Sequence, residues 1–103
     1  MGIRWGLGDG TFLPEVTVPT APEPFGLAIT DLDRDAKLDI LTANYDSSSV
    51  TILRGEGRRG FKLHGHCQIH RYADAIAVGD MNGDGKPDIV VGSSAGVEIL
   101  FAL

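Results

Sequence analysis

One acidic pattern occurs twice in this chain and constrains its fold more than any other feature. Each copy places oxygen-bearing side chains at positions one, three, five and nine of a short segment. They are Asp31, Asp33, Asp35 and Asp39 in the first copy, and Asp80, Asn82, Asp84 and Asp88 in the second. Hard cations such as Ca²⁺ bind oxygen ligands presented at this kind of spacing in a tight loop. The pattern therefore predicts two cation-binding loops.

The two copies lie in phase, 49 residues apart, and the match extends beyond the acidic loops. Pairs in register include Gly8 with Gly57, Phe12 with Phe61, Ala28 with Ala77, and Ile29 with Val78. Past Asp46 the second copy is two residues shorter, so Val50, Ile52 and Leu53 match Val97, Ile99 and Leu100. A fixed period indicates a repeat architecture. We expect a single domain over residues 1–103, with two repeats at about 11–60 and 61–103.

The composition is that of a small globular domain and excludes several classes of protein. The 103 residues are 43% hydrophobic and 22% charged, and their formal net charge of −5 argues against a nucleic-acid partner. Cys67 is the single cysteine, so neither an internal disulfide nor a Cys-x-x-Cys zinc site is expected. The sequence contains no signal-peptide pattern and no apolar run long enough to span a membrane.

Short apolar runs bounded by Gly, Asp, Ser and Pro predict strands, and helical periodicity is absent. The predicted strands are Thr11–Val18, Leu27–Thr30, Leu38–Ala43, Val50–Arg54, Phe61–His70, Ala75–Gly79, Asp88–Gly92 and Gly96–Ala102. The small residues of Ala75–Gly79 are typical of a crowded innermost strand. We predict an all-β fold in which each repeat forms a four-stranded antiparallel sheet, as in the blade of a β-propeller.

The strand Phe61–His70 is predicted to be an outer strand because its residues alternate between apolar and polar. Phe61, Leu63, Cys67 and Ile69 are assigned to one packed face, with the polar residues on the other face. His64, His66 and His70 share that polar face and are candidates for binding a transition metal, although solvated surface histidines are the simpler interpretation.

Three segments carry a family likeness: Gly8–Phe12, Phe25–Asp31 and Gly79–Asp88. They resemble the FG-GAP/VCBS repeat, the blade of integrin-α-like propellers. The resemblance implies a calcium loop between the first two strands of each blade, with a backbone carbonyl ligand at position seven. The implied ligands are Asp31, Asp33, Asp35, the Lys37 carbonyl and Asp39 in the first loop, and Asp80, Asn82, Asp84, the Lys86 carbonyl and Asp88 in the second.

Loop position six, normally Gly in this family, distinguishes the two copies. It is Gly85 in the second loop and Ala36 in the first. If the position requires a positive φ, Ala costs about 1 kcal/mol relative to Gly. The first loop is then expected to bind its ion more weakly, unless its fourth carboxylate, where the second loop has Asn82, outweighs the strain.

Two other interpretations of the acidic loops compete with cation binding. An EF-hand requires Glu at position twelve and flanking helices, but Thr42 and Val91 stand there within β-type runs. The aspartates could also be formers of surface turns, where Asp is common. Four oxygen-bearing residues at fixed alternation, repeated in register, favour cation binding over turn formation.

No catalytic constellation is apparent, so we expect a non-enzymatic protein. Ser47–Ser49 lies in a predicted hairpin connection, Cys67 is assigned to the packed face, and no Gly-x-Ser-x-Gly elbow occurs. Trp5, Tyr45 and Tyr72 are candidates for stacking on a sugar, although packing within the blades is the simpler interpretation.

The resulting expectation is a structural calcium-binding propeller module for protein or glycan contact, with two Ca²⁺ sites per chain. A lectin and a self-assembling scaffold subunit are the alternatives. Thr11–Val18 could complete the last sheet of a neighbouring copy, giving a head-to-tail ring of six or eight blades, or the chain could be part of a longer propeller. Sites of this type bind weakly, on the order of 10⁻⁴ to 10⁻³ M, which favours an extracellular or cell-surface location.

Overall fold

The structure, a computed structural model, describes residues 1–18, 20–21, 23–57, 60–69, 72–93 and 96–100. Within these ranges the strands are β1 (Gly2–Ile3), β2 (Val16–Thr17), β3 (Pro24–Thr30), β4 (Asp39–Asn44), β5 (Ser49–Gly55), β6 (Phe61–Gln68), β7 (Ala73–Gly79), β8 (Asp88–Ser93) and β9 (Gly96–Leu100). The same ranges contain no helix, and every strand pair is antiparallel. The predicted all-β, antiparallel fold is confirmed.

The strands form two meanders in chain order. The first sheet has the order β3-β4-β5-β6 and the second has the order β7-β8-β9. Strands β3 and β7 lie close together, so the two sheets meet mainly along their first strands. The outer strand of the first sheet, β6, comes from the sequence unit predicted to begin near residue 61. Within the described part of the chain, no helix is long and apolar enough to cross a bilayer.

The main core lies between the two sheets. Side chains alternate across each strand, so each sheet has two faces. We call the face of the first sheet that carries Leu41, Val50 and Ile52 its forward face, and the opposite face, with Ile40 and Leu53, its rear face. In the second sheet, Ile89 and Val91 lie on the rear face and Val97 and Ile99 on the forward face. The forward face of the first sheet packs against the rear face of the second, and the buried residues of this core are Leu41, Ala43, Val50, Ile52, Ile69, Ala73, Ile89 and Val91. Ala28, Cys67, Ile76, Val78 and Leu100 are partly buried around them.

A smaller core lies on the rear face of the first sheet. Ile40 and Leu53 are buried there beneath Val18, with Met1, Ile3 and Phe61 packed around them. Residues 1–18 supply Met1, Ile3 and Val18 and form an N-terminal hairpin, in which β1 pairs with β2 and Gly6 bridges to Phe12. The predicted strand Thr11–Val18 is therefore confined to the Phe12 bridge and β2. The hairpin covers only part of the rear face.

The predicted alternation of β6 is wrong because the strand contains an irregularity. Leu63 pairs with Leu53 but Gly65 pairs with Ile52, so His64 is an extra residue between them. A β-bulge of this kind reverses the side on which later residues point. Phe61 consequently packs in the rear core and Cys67 in the forward core, on opposite faces. His70 and the predicted end of the last strand, Phe101–Ala102, lie outside the described residues.

Candidate metal centre

The two acidic loops are the connections between β3 and β4 and between β7 and β8. Each begins after the first strand of its sheet and ends at a buried aspartate that opens the second strand, Asp39 or Asp88. The loops are neighbours: a Cβ atom built on Gly85 would lie 3.7 Å from Arg34 Nη1. The repeat thus places two similar acidic turns side by side at one end of adjoining sheets.

Carboxylates converge in both loops. In the first loop Asp31, Asp33 and Asp39 each present an oxygen, and these atoms lie within 4.8 Å of one another. Asp80, Asp84 and Asp88 do the same in the second loop. Oxygens bound to one Ca²⁺ at about 2.3–2.6 Å lie at most about 5 Å apart, so each trio can share an ion without large rearrangement.

Backbone hydrogen bonds hold the two loops in the same shape. Asp31 Oδ2 accepts from Ala36 N at 2.8 Å, and Asp80 Oδ2 accepts from Gly85 N at 2.8 Å. Asp39 Oδ2 and Asp88 Oδ2 each accept at 2.9 Å, from Leu32 N and Met81 N respectively. These bonds link the first and ninth positions to the loop backbone.

The side chains at position five of each loop and at position three of the second loop also accept hydrogen bonds from the loop backbone. Asp35 and Asp84 each accept a hydrogen bond at 2.9 Å from the residue two positions on, Lys37 N and Lys86 N. Asp35, unlike Asp84, is not among the three converging carboxylates of its loop. Asn82 Oδ1 accepts from Asp84 N at 3.3 Å. Ligation by the Lys37 and Lys86 carbonyls stays a prediction.

Both loops need left-handed backbone conformations at positions four and six. Position six has φ 69° at Ala36 and φ 82° at Gly85, which meets the condition for strain in the first loop. Position four has φ 63° at Arg34 and φ 77° at Gly83. Only glycine adopts this region without cost, so the first loop carries strain at two residues where the second carries none. The strain at Arg34 was missed, although its alignment with Gly83 was a usable signal.

Arg54 on β5 is a second residue that sequence reasoning missed. Its guanidinium donates to the Asp33 carboxylate and lies 3.8 Å from Asp35 Oδ2. A positive charge at this position partly neutralises the first loop and competes with a bound cation. No local motif reveals this contact, because it joins residues 21 positions apart.

Charge and burial differ along each loop. Asp39 and Asp88 are almost fully buried, whereas Asp80 is exposed. Hydrogen bonds, chiefly from the Gly85 N–H, hold the pKa of Asp80 below its ordinary value. Burial of a carboxylate is costly unless it is hydrogen-bonded or paired with a cation. The second loop thus combines an exposed, hydrogen-bonded first ligand with a buried ninth ligand.

Of the other candidate residues, His64 lies close to the first loop, because it lines one cavity with Asp33 and Asp39. His66 Nδ1 is hydrogen-bonded to Thr51 Oγ1 at 2.9 Å, and His64 occupies the β6 bulge. Among the described residues, the groups able to hold a metal consist of aspartates. Tyr45 and Tyr72 are stacked with centroids 4.8 Å apart, whereas Trp5 stacks on Phe61 elsewhere.

A family model described as an FG-GAP-like repeat matches residues 31–91, which is more than half of the chain and includes both acidic loops. No curated protein and no solved structure matches the chain.

Proposed function

The chain belongs to the FG-GAP-like repeat family, and we propose that it is a calcium-stabilised interaction module whose sheets are blades of a β-propeller. FG-GAP repeats suggest a module for interaction and are generally non-enzymatic. The meander order and the packing of successive sheets along their first strands support the assignment of blades. We infer that the ions stabilise the folded loops and take no part in a reaction.

The convergence of three carboxylates in each loop carries the calcium proposal. Like charges held this close repel one another and favour a bound cation. The donor set consists of hard oxygens, which suits Ca²⁺ better than zinc or copper. We propose that Asp31, Asp33, Asp35, the Lys37 carbonyl and Asp39 hold one ion, and that Asp80, Asn82, Asp84, the Lys86 carbonyl and Asp88 hold the other.

The two loops are proposed to differ in affinity. Backbone strain at Arg34 and Ala36 and the charge of Arg54 all weaken binding in the first loop. The second loop has glycines at the matching positions. We therefore expect the second loop to fill first, at free calcium on the order of 10⁻⁴ to 10⁻³ M. FG-GAP repeats are typical of extracellular proteins, and such concentrations occur outside cells, so we propose an extracellular or cell-surface location.

Calorimetric titration with Ca²⁺ tests this function. The wild-type chain should bind two ions, and Asp84→Ala should remove the tighter of the two. Asp33→Ala, which changes one of the three converging carboxylates of the first loop, should remove the weaker one and leave the tighter one unchanged. Asp9→Ala, in an exposed turn outside both loops, is the control and should bind as wild type does. A wild-type chain that takes up no calcium at millimolar concentrations would refute the calcium proposal.

Glycan binding is a second candidate function, favoured by one observation. Phe25, Tyr45 and Tyr72 form a row of rings with centroid spacings of 5.2 Å and 4.8 Å, where the first sheet meets the second. Phe25 and Tyr72 are exposed, and aromatic faces of this kind stack on sugars. A glycan array read with the wild type, Tyr72→Ala and the distant control Trp5→Ala tests this. Binding lost only in Tyr72→Ala would support it, and an array without signal would exclude it.

A further inference from the structure

The same packing arrangement occurs twice within this chain. In the core between the two sheets, the first sheet contributes Val50, Ile52 and Cys67 from its forward face. The second sheet contributes Ile89 and Leu100 from its rear face to the same core. Met1, Ile3 and Val18 of the N-terminal hairpin pack on Ile40, Leu53 and Phe61 of the first sheet. Met1, Ile3 and Val18 precede Val50, Ile52 and Cys67 by one repeat, and Ile40 precedes Ile89 likewise. The N-terminal hairpin therefore packs on the rear face of the first sheet in the same way as the forward face of the first sheet packs on the rear face of the second.

Backbone pairing follows the same repeat. Ile3 pairs with Val16 as Ile52 pairs with Gly65, and Gly6 pairs with Phe12 as Gly55 pairs with Phe61. The turns also agree, because Leu7 N donates to Thr11 O at 2.9 Å and Glu56 N donates to Gly60 O at 3.0 Å. The N-terminal hairpin thus reproduces the β5–β6 pair, one repeat earlier.

Two apolar surfaces are left open by this arrangement. On the forward face of the second sheet, Val97 is 73% exposed and Ile99 is 36% exposed, although they are the repeat equivalents of the buried Val50 and Ile52. On the rear face of the first sheet, Leu27 is 57% exposed and Ile29 is 58% exposed. The equivalents of this second pair, Ile76 and Val78, pack in the core between the sheets.

The two open surfaces are complementary, since each repeats one side of an interface that the chain already forms. We propose that they associate head to tail between two copies of this chain, the forward face of the second sheet of one copy covering Leu27 and Ile29 of the next. The contact is heterologous, so it continues from copy to copy and closes into a ring when the rotation between copies permits. The residues that carry the proposal, Leu27, Ile29, Val97 and Ile99, lie on the sheet faces, so it does not rest on the proposed calcium binding.

The proposed contact also requires an exchange of strands. Ile3 and Ile99 are both repeat equivalents of Ile52, so they compete for the same position on the first sheet. The incoming β9 has five residues in the ladder, whereas β1 has two. We infer that β9 of one copy displaces β1 of its neighbour and pairs with that neighbour's β2. Intramolecular β1 is always present at high effective concentration, so it opposes the exchange and keeps association concentration-dependent.

Sedimentation velocity over a range of protein concentrations, with and without calcium, tests the association. The wild type should shift to larger species as concentration rises. Ile99→Asp and Ile29→Asp should each weaken association about tenfold or more, because each places a charge in an apolar contact. Leu7→Asp changes an exposed apolar residue outside both surfaces and should associate as wild type does. Val97→Asp repeats the Ile99 test at a more exposed position, and far-UV circular dichroism verifies that each variant is folded.

Mixing the two disabled variants gives the decisive result. Ile99→Asp keeps an intact rear face and Ile29→Asp keeps an intact forward face, so the mixture should form a 1:1 dimer and nothing larger. Ile3→Asp removes the competing strand and should strengthen association. A wild-type chain that stays monomeric at every concentration would overturn the proposal. It would indicate that the open faces are covered by a repeat that is not part of this chain. Folded variants that fail to complement in the mixture would also overturn it.

Discussion

Arg54 donates a hydrogen bond to Asp33, which connects the third strand of the first sheet to a predicted calcium ligand. The contact closes the first acidic loop with a positive charge supplied by the protein itself. In the second unit, the matching sequence position holds Phe101, which carries no charge. The two loops therefore share their acidic pattern but differ in the residue at this sequence position.

Replacement of Arg54 by Gln should raise the calcium affinity of the first loop about two- to fivefold. The side chains of Arg54 and Asp33 are 46% and 31% exposed, so the competing ion pair is worth only about 0.2–1 kcal/mol. Calorimetric titration measures the change. Lys62→Gln, an exposed change of the same charge, is the control and should leave both affinities nearly unchanged. Weaker binding in Arg54→Gln would show that Arg54 organises the loop and does not compete with calcium.

Replacement of Ala36 by Gly should stabilise the protein by about 0.5–1 kcal/mol. The change relieves strain at φ 69°, and the greater freedom of Gly in the unfolded chain offsets part of that gain. The melting temperature should rise by about 2–5 °C. Gly85→Ala is the matched reverse change at φ 82° and should lower the melting temperature by a similar amount. Equal melting temperatures for all three proteins would contradict the assigned strain.

Replacement of Gly55 by Ala should destabilise the protein by about 1–3 kcal/mol. A Cβ atom at this position would collide with the Leu38 carbonyl, which cannot rotate away as a side chain can. Gly6→Ala is the matched control one repeat earlier, where the added atom would lie 3.6 Å from the Phe12 ring. Urea denaturation should show a clear loss for Gly55→Ala and a change within about 0.5 kcal/mol for Gly6→Ala.

The carboxylate of Asp9 should titrate below its ordinary value of 3.8 because Thr11 stabilises the charged form. The Thr11 hydroxyl and amide both donate to Asp9 Oδ1, at 2.5 Å and 2.9 Å. Since the pKa is lowered by folding, this contribution to stability is present above pH 3.8 and is lost as the pH falls through the lowered pKa. NMR titration should show the Asp9 pKa rising in Thr11→Val. An unchanged pKa in that variant would assign the effect to the amide alone.

Local sequence signals were sufficient for most of the fold. Short apolar runs between turn residues predicted β4, β5 and β8 to within one residue at each end, because strand propensity and turn chemistry are encoded by neighbouring residues. The positions of the two acidic loops were also predicted from the sequence, because the same acidic pattern occurs twice, 49 residues apart. The positive φ at position six was anticipated from the contrast between Gly85 and Ala36.

Other features depended on contacts between distant parts of the chain. The β6 bulge arises from its register against β5, so the opposite orientations of Leu63 and Cys67 are invisible in the alternation of β6 alone. Arg54 reaches Asp33 only because the strand order of the first sheet brings them together across 21 positions.

The sequence by itself determined where most of the strands and both acidic turns occur, since these follow from residues within about ten positions of one another. Tertiary structure decided which face of each sheet is covered, which charge lies beside the first loop, and which surfaces remain open. These properties depend on sheet packing, and a residue such as Ile52 or Ile99 becomes buried or exposed according to whether a second sheet lies against it.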